Sequence, residues 1–447
     1  MNDATTPVRL WQRLLTPFAF VLTQPGSARF AQGVTGTVLG WEEHTLTQVL
    51  TSLGLEDRWR VAEHFAEYGA FRRDAVERQT RRLIEAEAAP RFREYRVVAV
   101  DDTKCHRTSR HVWGVCTFHE PAGRSPNRAS TVRAHNGVVS GDLVPGTPWA
   151  YLPHTSRLYF RATQLPAGEA FATKTALAAA MLRQADADSP APILAVFDGA
   201  YANATVVGPC LDPANGRRID VVTRLRFDAR LHQPLGPVTG RRRGRPRTWG
   251  DRLPAPQHHD RWDAPWQTGA AYLYGRERTF RVKELACRWA VTGPTQPVRA
   301  FAVAVEGYAD PWFLVTPSAT LTAADVVAVF AARFRQEDGF RDHKQRLGME
   351  ECRAWTKAPV ERTFAVQVVA QTLLRLRGRR LDGPGRAGGW WSAPAWNRHK
   401  SHPSLLDVRR VVWASRREFS DFLRGLDGVR ESDAATRDHG TPAARYP

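Results

Sequence analysis

Apolar positions in the first 90 residues recur at helical spacing. Leu46, Val49, Leu50 and Leu53 lie three and four apart, Gly54 breaks the run, and Trp59, Ala62 and Phe65 resume it. That period puts one apolar stripe on each of two helices joined at a glycine turn. The pattern fits both a DNA-reading helix-turn-helix and a small helical bundle. Arg72, Arg73, Arg78, Arg81 and Arg82 follow as a basic helical face, either solvated surface or a phosphate contact. The period then shortens. Val97–Val100 is an apolar run that stops abruptly at Asp101-Asp102, and Val112–Phe118 and Val138–Leu143 predict neighbouring strands. Ala170–Gln184 predicts a helix, and Ile193–Phe197 a second buried strand that stops at Asp198. A short helix near 200–210 and the strand Ile219–Leu225 complete a mixed α/β order.

From 229 to 318 the character changes. Pro, Gly and Arg crowd 234–256, and strand-like runs at 281–291, 298–305 and 312–316 predict a β-rich insertion. Helical periodicity returns at 321–346 and 360–377. The expected organisation is an N-terminal helical domain for DNA binding or dimerisation (1–90), the first part of an α/β core (91–228), the insertion (229–318) and the rest of the core (319–380). A basic tail rich in Gly, Pro and Trp (381–447) ends the chain, with one helix expected from a Ser404 N-cap to about Leu426.

The length, 447 residues, allows about two to four domains. Hydrophobic residues make up 43% and there are 15 Trp, which excludes general disorder. Lys and Arg number 64 against 45 Asp and Glu, a net charge of +19, so the expected partner is a polyanion, nucleic acid or an acidic membrane surface. No apolar run reaches the ~18 residues of a membrane span, and a membrane protein is not expected. Five dispersed cysteines without a CxxC pair suit reduced thiols inside a cell. Leu14–Leu22 imitates a secretory signal, but Pro17 interrupts it and Asp3 and Arg13 flank it, so a packed helix is expected.

Asp101 and Asp198 each follow a buried strand, at the sheet edge where α/β proteins build sites. A third candidate lies on the last predicted core helix. Phe330, Arg333, Glu337 and Lys344 fall within about 60° of one another on a helical wheel, and Arg341 within about 20° of Phe330. Amphipathic helices normally turn such a stripe to solvent. The spacing [Tyr/Phe]-x2-Arg-x3-Glu-x6-Lys is nevertheless rare in a chain with six Lys against 58 Arg; residue frequencies give about 0.003 chance matches.

This spacing resembles the signature of a large group of bacterial insertion-sequence DDE transposases. VDDTKCHRTSRHVWG at 100–114 is similar to their first-Asp block, and FDGAYANATVV with VVTRLRF to their second. RRRGRPRTWGDR at 241–252 resembles a basic stretch of their insertion, and WFLVTPSATLTAADV leads into the Glu helix as in the group. The resemblance spans most of residues 15–380. It implies an RNase H-like core interrupted by a β-rich insertion before the Glu-bearing helix, with the N-terminal helical domain ahead of it. Phe330 departs from the usual Tyr and lacks its hydroxyl. Thr103, at the group's +2 place, favours Asp101 as the first acidic residue, with Asp102 as the alternative.

The resemblance implies a catalytic and metal-binding triad of Asp101, Asp198 and Glu337. Two divalent ions about 3.5–4 Å apart would activate the nucleophile and stabilise the leaving oxygen; Mg²⁺ is expected, with Mn²⁺ substituting. Arg333, Lys344 and Arg341 on the Glu helix and Arg241, Arg243 and Arg245 in the basic loop are the expected DNA-phosphate contacts. Trp289 and Trp312 could stack on a flipped base or fill the core. No GxxxxGK[ST], HExxH or GxSxG motif is present, so no nucleotide cofactor is expected, and Cys105, His106, His111 and Cys116 match no common zinc spacing. The expected function is cleavage and strand transfer at terminal inverted repeats. The expected partners are double-stranded DNA, as transposon ends and target, and a second copy in a synaptic homodimer, in the bacterial cytoplasm at the nucleoid. The alternatives are a nuclease on the same fold and an inactive or domesticated DNA-binding relative.

Overall fold

The computed structural model describes residues 7–120, 131–236, 246–381 and 389–428. Five helices open the chain: α1 (Pro7–Leu15), α2 (Gln24–Leu39), α3 (Leu46–Thr51), α4 (Trp59–Tyr68) and α5 (Arg73–Ala88). Thr23 and Thr45 start α2 and α3, each hydroxyl accepting a free N–H of the first turn, from Gly26 and Gln48. Strands β1 (Arg96–His106), β2 (Cys116–His119), β3 (Thr131–Val144) and β4 (Ala150–Tyr159) follow, then α6 (Lys174–Ala187), β5 (Ile193–Phe197), α7 (Ala204–Leu211) and β6 (Asp220–Arg224). Next come β7 (Leu231–His232), β8 (Gln267–Leu273), β9 (Arg276–Trp289), β10 (Pro297–Val305) and β11 (Trp312–Thr316). The helices α8 (Ala323–Ala332), α9 (Phe334–Arg346), α10 (Lys357–Leu381), α11 (Leu405–Ala414) and α12 (Arg416–Gly428) complete the order. No described helix is long and apolar enough to cross a membrane.

The chain divides into two compact units, Met1–Gln79 with Gln345–Pro447, and Thr80–Lys344. The first is helical. Its α10 is buried along most of its length and packs against α1, α2, α4 and α11. The Trp11 indole N–H donates to Thr35 Oγ1 at 2.9 Å, and its ring meets Phe419 edge-on. At Gly36 α3 approaches so closely that a Cβ would stand 2.6 Å from the Val49 carbonyl oxygen. The helix expected from Ser404 to Leu426 is two helices, interrupted at Ser415. Ser404 does start it, in a capping box with Asp407. The break itself carries no Gly or Pro, and the apolar spacing runs through it.

The second unit is built on a sheet of eleven strands among the described residues, in the order β2-β3-β1-β5-β6-β11-β10-β9-β7, with β4 beside β3 and β8 beside β9. Within it, β4, β3 and β1 run antiparallel, and β5 and β6 continue parallel to β1. That order and polarity make an RNase H-like core. Strands β11, β10 and β9 extend the same sheet antiparallel beyond β6. Side chains alternate between two cores. Val97, Ala99, Leu194 and Val196 point to the face that α8 covers, and Val98, Val100, Ala195 and Phe197 to the face that α6 and α7 cover. Burial on both faces is why these strands are unbroken apolar runs, each larger side chain contributing roughly 1.5–3 kcal/mol. A fully buried Arg96–Asp142 fork, both bonds 2.6 Å, ties β1 to β3.

Candidate active site

The strand β1 does not stop at its acidic pair but runs on to His106, paired there with β3 alone. What stops is the parallel ladder to β5, whose last register pair is Ala99 with Val196. Two residues on from that pair stand Asp101, within β1, and Asp198, one residue past the end of β5. Parity puts Asp101 on the face of Val97, Ala99, Leu194 and Val196, and the Asp198 charge lies near enough to act on it. Asp198 also begins the turn into α7, its Oδ1 accepting from the Ala200 N–H at 2.8 Å.

Glu337 arrives from above that face on α9. The helix is pinned by its preceding residue: the buried Gln336 amide donates to the Val139 carbonyl at 2.9 Å and to the Tyr151 hydroxyl at 3.1 Å. Val139 is the register partner of Asp101, so this bond sets α9 directly over the first carboxylate. Arg333, between α8 and α9, forks across the site. Its Nη1 donates to Asp101 Oδ2 at 3.1 Å and its Nη2 to Glu337 Oε1 at 2.7 Å. The other oxygen of Asp101 accepts the Asp102 N–H at 2.8 Å.

Asp102 points to the opposite face. Its carboxylate accepts from Lys174 Nζ at 2.6 Å, the Tyr201 hydroxyl at 2.9 Å and Asn136 Nδ2 at 3.0 Å. Burial, together with the Asp102 charge, holds the Tyr201 phenol far above its ordinary range. The two adjacent aspartates therefore differ in kind. Asp102 is enclosed by donors, while Asp101 is pushed up to about 7, first by burial and then by the Asp198 charge, against the pull of the Asp102 N–H and Arg333.

Among the described residues no three His, Cys, Asp or Glu side chains already form a closed cation cluster. The donors nevertheless suit a hard divalent ion: oxygen only, partly open to solvent. Asp101 is crowded by Asp198 and its second oxygen is already matched to a cationic group, the Arg333 guanidinium. Cys105 and Cys116 are both buried cysteines.

Beside this centre stands an aromatic wall. Tyr274, at the tip of the β8–β9 hairpin, meets Phe334 edge-on at 5.5 Å and Tyr308 at 6.0 Å, and Tyr308 in turn meets Trp312 at 5.7 Å. Tyr274, Tyr308 and Phe334 are each about two-fifths exposed, at 38%, 41% and 42%. Trp289 and Trp312 themselves are core residues, at 4% and 9%. Phe330 packs on Trp312 beneath the wall, with the Arg333 guanidinium 5.9 Å from its ring, so a ring without a hydroxyl suffices there. Arg341 is exposed and paired with Asp338, and Lys344 lies half-buried at the end of the unit. Lys104 donates to the His119 carbonyl. Arg241, Arg243 and Arg245 lie outside the described residues.

Sequence reasoning missed Gln336, Lys174, Tyr201 and the exposed wall. Gln336 adjoins the acidic motif residue, and Lys174 is one of only six lysines, but neither position carries a spacing that reports its partner.

No curated protein matches the sequence. Among solved structures the chain is similar to the piggyBac transposase in a cryo-EM synaptic complex with hairpin DNA, at 10% identity and a TM-score of 0.40, over 94% of this chain and 78% of that one. A family model described as DDE superfamily endonuclease matches residues 27–288, which include Asp101 and Asp198 and end before the Glu337 helix. With more than half its length matched, the chain belongs to the DDE superfamily endonucleases.

Proposed function

We propose that this endonuclease is a transposase that cuts DNA at the terminal inverted repeats of an insertion sequence and joins the ends to target DNA. Asp101, Asp198 and Glu337 are its metal-binding and catalytic carboxylates. The observation that carries the reading is the Arg333 fork, which ties Glu337 to a strand residue 232 positions before the arginine. Endonucleases of this superfamily use divalent metal ions; Mg²⁺ is the ion proposed here, with Mn²⁺ able to substitute. Bound at these oxygens, such ions supply the Lewis acidity that activates a water or 3′-hydroxyl nucleophile and steadies the leaving 3′-oxygen.

The protein's own groups do the positioning. Asp101 projects from β1 and Asp198 follows the end of the neighbouring β5, and Gln336 fixes the height of Glu337 above Asp101. Asp102, wrapped by Lys174, Tyr201 and Asn136, holds the strand rather than an ion. Arg333, Lys344 and Arg341 meet phosphates flanking the scissile bond, and Arg241, Arg243 and Arg245 add sequence-independent backbone contacts. Tyr274, Tyr308 and Phe334 offer a stacking surface to a base that leaves the duplex during cleavage. Bringing two element ends together calls for at least two copies of the chain.

The test is Glu337→Gln, assayed on supercoiled plasmid carrying the DNA that flanks the gene. Cleavage at paired inverted repeats should vanish while DNA affinity stays within about twofold. Unchanged cleavage by the variant would overturn the assignment.

A further inference from the structure

Arg333 makes two bonds, only one of which a helix explains. Its link to Glu337 is an ordinary i,i+4 pair. Its link to Asp101 crosses from the helix to the sheet, and the guanidinium that makes both is only 15% exposed. The competition at Asp101 is specific. Each Asp101 oxygen has one donor, Oδ1 the Asp102 N–H and Oδ2 the Arg333 guanidinium, the charged one of the two. On Glu337 the fork likewise takes Oε1. Arginine does not lose its charge at any working pH, so this cation leaves only when another charge takes its place.

We propose that Arg333 is a displaceable counter-cation: it braces Asp101 and Glu337 in the metal-free protein and, as divalent ions load, swings out to a DNA phosphate. This rests on the carboxylate reading above. The pivot is local. Arg333 sits where α8 gives way to α9, with i−3 bonds on both sides, from its own N–H to Phe330 O at 3.2 Å and from the Gln336 N–H to its carbonyl at 2.8 Å. The guanidinium already faces the Phe330 ring at 5.9 Å, a contact that can hold it once the carboxylates are given up. At the far end the same two-pronged geometry that grips two carboxylates matches phosphate oxygens. Metal loading and DNA binding are thereby coupled through one side chain, and the coupling must be reciprocal.

The test measures Mn²⁺ binding to the full chain by electron paramagnetic resonance of the free ion, with and without a duplex lacking the element ends. Arg333→Gln should bind Mn²⁺ about tenfold more tightly than the unaltered protein without DNA, because a resident cation has been removed. Arg333→Lys, which keeps the charge but loses the fork, should fall between. The duplex should tighten Mn²⁺ binding to the unaltered protein and leave Arg333→Gln unmoved. Equal Mn²⁺ affinity in the unaltered protein and both Arg333 variants overturns the proposal, provided Asp101→Asn weakens binding. If Asp101→Asn binds as tightly as the unaltered protein, the carboxylate reading fails instead, and the counter-cation with it.

Discussion

Adjacent aspartates that face opposite sides of one sheet should respond to the same substitution with opposite signs. Asp101 is pushed from an ordinary 3.8 to about 7 by burial and by Asp198. An acid whose folded value is raised gains nothing from folding when both states are protonated, below about pH 4. It loses stability progressively as pH rises toward 7, because the unfolded chain ionises first. At about 1.4 kcal/mol per tenfold change in ionisation, that elevation is worth at most roughly 4 kcal/mol at pH 8. Water reaching the 18%-exposed side chain, and the Arg333 bond that is given up, reduce the expected gain to about 1–2 kcal/mol. Asp101→Asn should therefore stabilise the metal-free protein at pH 8, with the gain fading below pH 5. Asp102→Asn should do the reverse. It leaves the Lys174 ammonium without its counter-charge and turns an acceptor of three bonds into a mixed amide, costing about 1–3 kcal/mol. Urea unfolding in EDTA at pH 8 and pH 5 measures both. If Asp101→Asn destabilises at pH 8 while Asp102→Asn stabilises, the roles given to the two residues are exchanged.

Three further outcomes follow from the same geometry. Mn²⁺ affinity should fall about tenfold per pH unit below 7, because a cation must there displace the Asp101 proton; a flat titration between pH 6 and 8.5 would contradict it. Gln336→Met retains the bulk but not the bonds to Val139 and Tyr151, and should slow cleavage about a hundredfold through misplacement of Glu337, with unchanged circular dichroism and DNA affinity. Tyr274→Ala should reduce cleavage about tenfold and abolish the quenching of a 2-aminopurine placed at the cut end; an unaltered fluorescence signal would remove the wall from the reaction.

Some of this was readable in the chain and some was not, for physical reasons. Val97–Val100 and Ile193–Phe197 are apolar throughout because both faces of their strands are covered, so a charge that ends each run stands out. Parity alone separates Asp101 from Asp102, but which face carries the third acidic residue depends on where α8 and α9 pack, and no local pattern states that. Glu337 was visible only through the spacing of its motif, since a charged helical stripe ordinarily means solvent. Strand β4 was missed because Pro153, His154 and Thr155 interrupt its apolar pattern, although all are buried in the structure. Strand β8 was missed because Gln267, Thr268 and Gly269 resemble a loop. The Ser404 start was legible as a capping box, and the break at Ser415 was not, because no helix-breaking residue marks it.

The strands of the insertion are backbone-bonded to the core, and this turns the enzyme into a ruler. From Ala99 the hydrogen-bond ladder passes to β5, β6, β11, β10 and β9 without a flexible tether, and the hairpin that begins at β9 carries Tyr274. Under the proposed function, the interval between the aromatic wall and the acidic residues is thus graduated in strands and registers, not in loop length. Insertions in surface loops would leave that interval unchanged. A lineage adapting to element ends with a different unpaired overhang would have to lengthen the β8–β9 hairpin or shift a strand, and a shift by one residue turns every side chain on that strand to the other face.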